Sequence, residues 1–182
     1  MARTLGNVTV ECTVGDIVKQ ADMAAVVNAA NAELGPGGGV AGAIHRAAGP
    51  DLDRECRPLA PIQPGQAVIT GGHKLPNAHV IHCLGPVYGA DTPSDALLRD
   101  CYRNALDLAE RHRIDSIAVP AISTGAFGYP MQDAAHQAMH EVVRQAPGLR
   151  HVRHIRFVVT DERTRQIHDQ ALDAAADRQG GG

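Results

Sequence analysis

The chain has 182 residues, 44% of them hydrophobic, which suits one folded unit with a sizeable core and excludes a disordered segment. Its formal net charge of -3 argues against a broad basic face for duplex nucleic acid. No apolar run is long enough to cross a bilayer, and the first seven residues lack the apolar core of a signal peptide, so a cytoplasmic protein is expected.

Residues 8–13, VTVECT, alternate and are rich in β-branched types, which predicts a strand. Gly15, Asp16 and Ile17 follow as a turn, where Asp16 serves either as a helix N-cap or as a ligand group. The run 24–27 is apolar without alternation, as in a strand covered on both faces. The stretch 28–49, NAANAELGPGGGVAGAIHRAAG, comes next, and the rest of the chain is organised around it. It reads as strand end, glycine loop and helix, with the helix over 43–48. Glycines let a ligand approach the main chain, and free amides at a helix start attract phosphate. A site for a phosphorylated ligand follows, with the amide side chains of Asn28 and Asn31 beside it.

Residues 51–59 are expected to form a second helix, and 67–70 and 80–83 two further strands. Thr92-Pro93-Ser94-Asp95 reads as an N-cap with proline at the first helical position. Leu97, Leu98, Cys101, Tyr102, Ala105, Leu108 and Ala109 then keep helical spacing. A buried strand over 114–122 runs into a second loop, 123–130, STGAFGYP, and Pro130 opens another helix. Residues 155–160 give a last strand and 165–175 a last helix. A single unit over 1–176 is expected, with 177–182 as a disordered tail.

Strands alternating with helices predict an α/β fold, a mixed, mostly parallel sheet covered on both faces. Ligands in such folds sit outside the carboxyl ends of the strands, where the turn at Gly15, the glycine loop and the 123–129 loop all fall. Other chemistries fit less well. Gly37-x-Gly39-x-x-Gly42 matches GxGxxG, but nine residues separate it from its strand, and the next strand ends in Thr70-Gly71 without an acid for a ribose. His79 and His82 lie three apart on a strand and point to opposite faces, while His136 and His140 share a helix face. No HExxH and no third ligand accompany them, so surface histidines rather than a metal site are expected. Ser123 lacks a GxSxG setting and reads as a hydrogen-bond donor. The four cysteines form no CxxC pair and read as reduced, mostly buried thiols.

VVNAAN, GGGVxGAIHRAAG, GxAVIT with a downstream LPxAxVIHxxGP, and PAISTGxxGYP, in this order and spacing, resemble the macro domain, in its MacroD-type ADP-ribosyl hydrolase branch. The resemblance covers about 8–172. It implies a three-layer α/β/α sandwich and ADP-ribose as ligand, free or attached to protein or nucleic acid, with no cofactor and no metal. Carried over, Asp16 takes the adenine amine, with Ile17 beside it. Asn31 faces the distal ribose and Asn28 supports the strand end. Gly38, Gly39, Val40, Ala41, Gly42, Ala43 and Ile44 wrap the diphosphate and distal ribose from one side. Ser123, Thr124, Gly125, Ala126 and Phe127 close the other side, Phe127 packing on the distal ribose. Asn31, Gly39 and Phe127 are the residues implied in catalysis.

One position departs from the family. Ala41 stands where the hydrolase motif, GGGVDG, has its acid. Losing a positioned general base removes about 10²- to 10⁴-fold in rate. Two functions remain: a hydrolase of ADP-ribosyl linkages working by substrate assistance, and a non-catalytic reader of ADP-ribose. A monomer without membrane association is expected for either.

Overall fold

A computed structural model describes residues 2–180. Its strands are β1 (Arg3–Leu5), β2 (Val8–Val14), β3 (Ala25–Ala29), β4 (Ala67–Gly71), β5 (His79–Cys83), β6 (Ser116–Val119) and β7 (His154–Val159). They join one sheet in the order β1-β2-β7-β6-β3-β5-β4. The two outermost pairings are antiparallel and the four inner ones parallel, which makes the sheet mixed and mostly parallel. The helices are α1 (Gly39–Ala48), α2 (Pro50–Cys56), α3 (Ser94–Arg111), α4 (Met131–Gln145) and α5 (Glu162–Gly180).

The period of two in a strand divides the core between the faces. Ala25 and Val27 of β3, Ile117 and Val119 of β6, and Ile155 and Phe157 of β7 pack with α3, α4 and α5. Val26, Ala118 and Val158 face the other way, onto Ile44 and Ala48 of α1 and Leu52 and Cys56 of α2. This is the three-layer arrangement. Both faces of β3 and β6 are covered, which is why their sequence shows no alternation, whereas β7 alternates over 154–157, His154 and Arg156 lying on the partly open face. Strand β2 does alternate, because only one of its faces is covered. Its open face carries Glu11, which pairs with Arg156 and His154 of β7.

Several elements differ from the sequence expectation. Strand β1 pairs antiparallel with β2 and is too short to show a period. Strand β6 ends at Val119 because Pro120 has no N–H for the ladder. Helix α3 starts at Ser94, so Thr92 is not its cap; the Ser94 hydroxyl donates to Asp91 O instead. Helix α1 starts at Gly39, four residues before the expected start. Helix α5 runs to Gly180, so residues 177–180 are helical rather than tail; Gly181 and Gly182 lie outside the described residues. No helix among the described residues is long and apolar enough to cross a membrane.

Candidate functional site

The parallel strands β3, β6 and β7 end together, and the chain leaves each of them along one edge. A cleft of ≈ 470 Å³ opens there. Ala29 and Ala30 after β3, Pro120 after β6, and Val159 and Thr160 after β7 form its floor. Gly38, Gly39, Val40 and Ala41 form one wall, and Ser123, Thr124, Gly125, Ala126 and Phe127 the other. The two glycine loops therefore share a single cleft.

The first wall is a helix start with nothing to close it. Gly38 occupies the N-cap position of α1 and offers no side-chain oxygen, and the first turn carries no acid. The first intrahelical amide of α1 is Gly42 N–H, which donates to Gly38 O. The amides of Gly39, Val40 and Ala41 are the orphan donors of a helix N-terminus, at the positive end of its dipole. Gly39 has φ +56°, a left-handed conformation that its missing side chain permits.

Asn31 shapes the loop before it. Gly35 N–H donates to Asn31 Oδ1 (2.9 Å), and Asn31 Nδ2 donates to Gly35 O (3.0 Å). Asn31 thus lines the cleft while both its polar atoms hold the glycine loop.

The second wall is held from beneath. The Ser123 hydroxyl donates to Pro86 O at 2.8 Å, and Thr124 Oγ1 donates to Ala121 O at 2.7 Å. Tyr129 N–H closes the loop on Ser123 O. The Ser123 hydroxyl is a donor, as expected, but to the protein rather than toward the cleft. Among the described residues, the amides of 124–127 make no internal hydrogen bond. The two walls thus present two runs of free main-chain donors to the same space.

Other expected site residues lie elsewhere. Gly42, Ala43 and Ile44 do not line the cleft: α1 has already begun, and its 3.6-residue turn carries them away, Ile44 into the core. Asp16 is exposed in a turn rather than capping a helix; one carboxylate oxygen accepts Val18 N–H at 3.1 Å. It stands at the same sheet edge, because Gly15 N–H bonds to Val159 O at 2.9 Å. Ile17 beside it is buried.

Asn28 is 1% exposed and lies behind the cleft. Its Nδ2 donates to His82 Nδ1 (3.0 Å), which assigns the ring proton to Nε2, 2.9 Å from Thr70 Oγ1. His82 is thus a core residue and not a surface one; burial pushes its pKa down to about 3. His45 is buried too, and neither of its ring nitrogens has a hydrogen-bond partner. Such an orphan group costs about 1–3 kcal/mol.

Gly85, Met131 and Thr164 also line the cleft and escaped the sequence reading. Gly85 had a signal, since it sits in the HxxGP segment. A Cβ there would fall 2.1 Å from Ser123 Oγ, so its smallness lets the second wall approach. Met131 and Thr164 look like any helix residues.

Among the described residues, no titratable side chain lines the cleft. The thiols are not poised for chemistry either: all four cysteines are free and buried, and burial pushes Cys56 up to about 11 and Cys12 and Cys101 to about 12. Among the described residues, no group of three His, Cys, Asp or Glu is placed to hold a metal ion.

A family model described as the Macro domain matches residues 27–138, and the chain belongs to that family. It is similar to the ADP-ribose glycohydrolase MACROD1 of Rattus norvegicus, 54% identical over 123 residues, covering 66% of this chain and 47% of that protein. Among solved structures, the Oceanobacillus iheyensis macrodomain with ADP matches at TM-score 0.92 and 36% identity, over 98% of this chain and 97% of that one. The Trypanosoma brucei macrodomain in complex with ADP-ribose matches at TM-score 0.81 and 35% identity, over 90% and 68%.

Proposed function

We propose that the chain binds ADP-ribose in this cleft and hydrolyses ADP-ribosyl linkages on modified protein or nucleic acid, or in O-acetyl-ADP-ribose. One observation carries the reading: two runs of unpaired main-chain amides face each other across a cleft that no side-chain charge occupies. That surface suits a pyrophosphate, which brings its own charge and many acceptor oxygens. The similarity to a glycohydrolase, and to macrodomains solved with ADP and ADP-ribose, supports the same ligand.

In this reading, Asp16 keeps one carboxylate oxygen for the adenine amine, with Ile17 packed beside it. The diphosphate lies between the amides of 39–41 and those of 124–127. Asn31 and Phe127 flank the distal ribose, and Gly39 leaves room for the main chain to close on it. Water attacks at the anomeric carbon and the carboxylate leaves, or it attacks at the ester carbonyl and the ribose oxygen leaves as the hydroxyl; in either route the water's remaining proton passes to solvent. Ala41 supplies no base and the other lining residues have none to offer, so the ligand's own phosphate orients the water. Orientation alone contributes several kcal/mol to such a step. Residues 1–176 act as one macro-domain unit, monomeric and cytoplasmic.

The second reading, a non-catalytic reader, draws on Ala41. Single-turnover release of ADP-ribose from a modified protein and from modified DNA separates the two. The hydrolase reading predicts release well above buffer, at a rate that no protein group titrates between pH 6 and 9, a window that lies about the ordinary range of histidine and cysteine. Calorimetric binding of ADP-ribose without release leaves only the reader.

A further inference from the structure

A second cavity, ≈ 370 Å³, lies on the outer side of the glycine loop. It shares no lining residue with the first. Pro36, His45, Arg46, Asp53, Arg54 and Arg57 are among its walls. We infer that it is a second oxyanion subsite, which takes a phosphate group through the three arginines and the imidazole of His45. The inference does not rest on the ADP-ribose reading.

Charge is the first argument. Three arginines line the cavity against one lining carboxylate, Asp53. Arg46 has no ion pair among the described residues. Arg57 Nη2 meets Asp53 Oδ2 at 2.8 Å, and Arg54 pairs with Asp51. Each guanidinium carries five N–H donors, so these single contacts leave most of the fork open. Walls of this kind repel cations and do not suit an apolar group. A phosphate has one acceptor oxygen more than a carboxylate, which better matches several converging donors.

The second argument is His45. It is 6% exposed, and both ring nitrogens lack a partner, yet it lines this same cavity. Burial holds the ring in its neutral form, while the Asp53 carboxylate and the Leu34 carbonyl pull toward the protonated one. The Leu34 carbonyl lies near the ring but outside hydrogen-bond geometry, so a phosphate seated against the arginines brings acceptor oxygens to a buried N–H that makes no hydrogen bond, and it adds to the pull on the ring.

The site also touches the loop that walls the main cleft. A Cβ built on Gly42 would fall 2.6 Å from Gly37 O and 3.0 Å from Arg46 Nη1. The Arg46 guanidinium therefore lies beside Gly42 in the first turns of α1, the helix whose start forms one wall of the main cleft.

The phosphate has two possible sources, inorganic phosphate or the terminal phosphate of an oligonucleotide. The test follows the ring resonances of His45 by NMR in the full chain at constant ionic strength. Inorganic phosphate is titrated into wild type and into Gly39→Val, whose main cleft is obstructed. A saturable millimolar shift at His45 in both proteins is expected, weakened about tenfold in the Arg54→Gln, Arg57→Gln double variant by loss of two charge-assisted donors. A 5′-phosphorylated oligonucleotide that reproduces the shift, where the 5′-hydroxyl form does not, assigns the group to a polymer end. A shift from inorganic phosphate alone assigns it to the free ion. No saturable shift at His45, or an equal shift in the double variant with its melting point unchanged, overturns the subsite. Failure of ADP-ribose to bind the main cleft leaves this result untouched.

Discussion

Gly39, Ala41 and Gly85 mark three ways in which a small residue shapes the cleft. Gly39 has open space around its missing Cβ but a left-handed backbone. An L-residue there costs about 1–2 kcal/mol, more if β-branched. Gly39→Val is expected to keep the fold, lower the melting point by a few degrees and abolish ADP-ribose binding. Calorimetry that finds unchanged affinity places the cradle elsewhere. Gly85 is the opposite case, with ordinary dihedrals and no space. Gly85→Ala drives a methyl into Ser123 Oγ and Ile122 Cγ2, and overpacking of this kind costs about 1–3 kcal/mol. The second wall has to shift, so ADP-ribose affinity should fall although the change at residue 85 removes no hydrogen-bonding group. Ala41 lies in the first turn of α1, where the dipole keeps a carboxylate ionised. Ala41→Asp is expected to raise turnover of carboxylate-linked ADP-ribose by up to about 10²-fold, the low end of general-base catalysis. An unchanged kcat means that water is held by other means.

At the scale of elements, the sequence was most legible where local chemistry is strong. Two glycine-bearing loops after apolar strands predicted a shared cleft at the carboxyl edge, and residues 38–41 and 123–127 meet there. Element ends were less legible. The start of α1 was misjudged because three glycines in a row argue against a helix, yet Gly39 begins one once Gly38 takes the cap position. That shift of four residues brings Gly42 into α1, and Ala43 and Ile44, already expected to be helical, turn away from the cleft. Contacts between distant segments were not legible at all. Asn28 reads as a ligand amide until β5 brings His82 beneath it, 54 residues on. Met131 and Thr164 reach the cleft only because α4 and α5 begin at its rim, and nothing local to either residue announces that.

For the whole molecule, the buried histidines set how stability depends on acid. His82 is neutral in the fold, with a pKa of about 3, against 6.5 when unfolded. Below pH 6.5 the unfolded chain takes a proton that the fold refuses, so stability is complete above that pH and drains away as pH falls toward 3. By linkage the loss at pH 5 is about 2 kcal/mol from this residue. Burial shifts His45 and His168 in the same direction. Urea midpoints at pH 7.5 and pH 5 should therefore differ, and His82→Gln should narrow the gap. A variant with the same gap assigns the acid sensitivity to other groups. The Arg156–Asp22 pair contributes little by comparison, because Asp22 stands largely in water.

The double link between Asn31 and Gly35 has a thermodynamic corollary. A single amide side chain imitates a closed turn of main chain, so one lip of the cleft has a settled shape before anything arrives. A guest then pays little ordering entropy and must match a surface it did not mould. Selectivity of that sort rejects by misfit, and a ligand whose pyrophosphate does not match the fixed lip is refused at the door instead of being accommodated slowly.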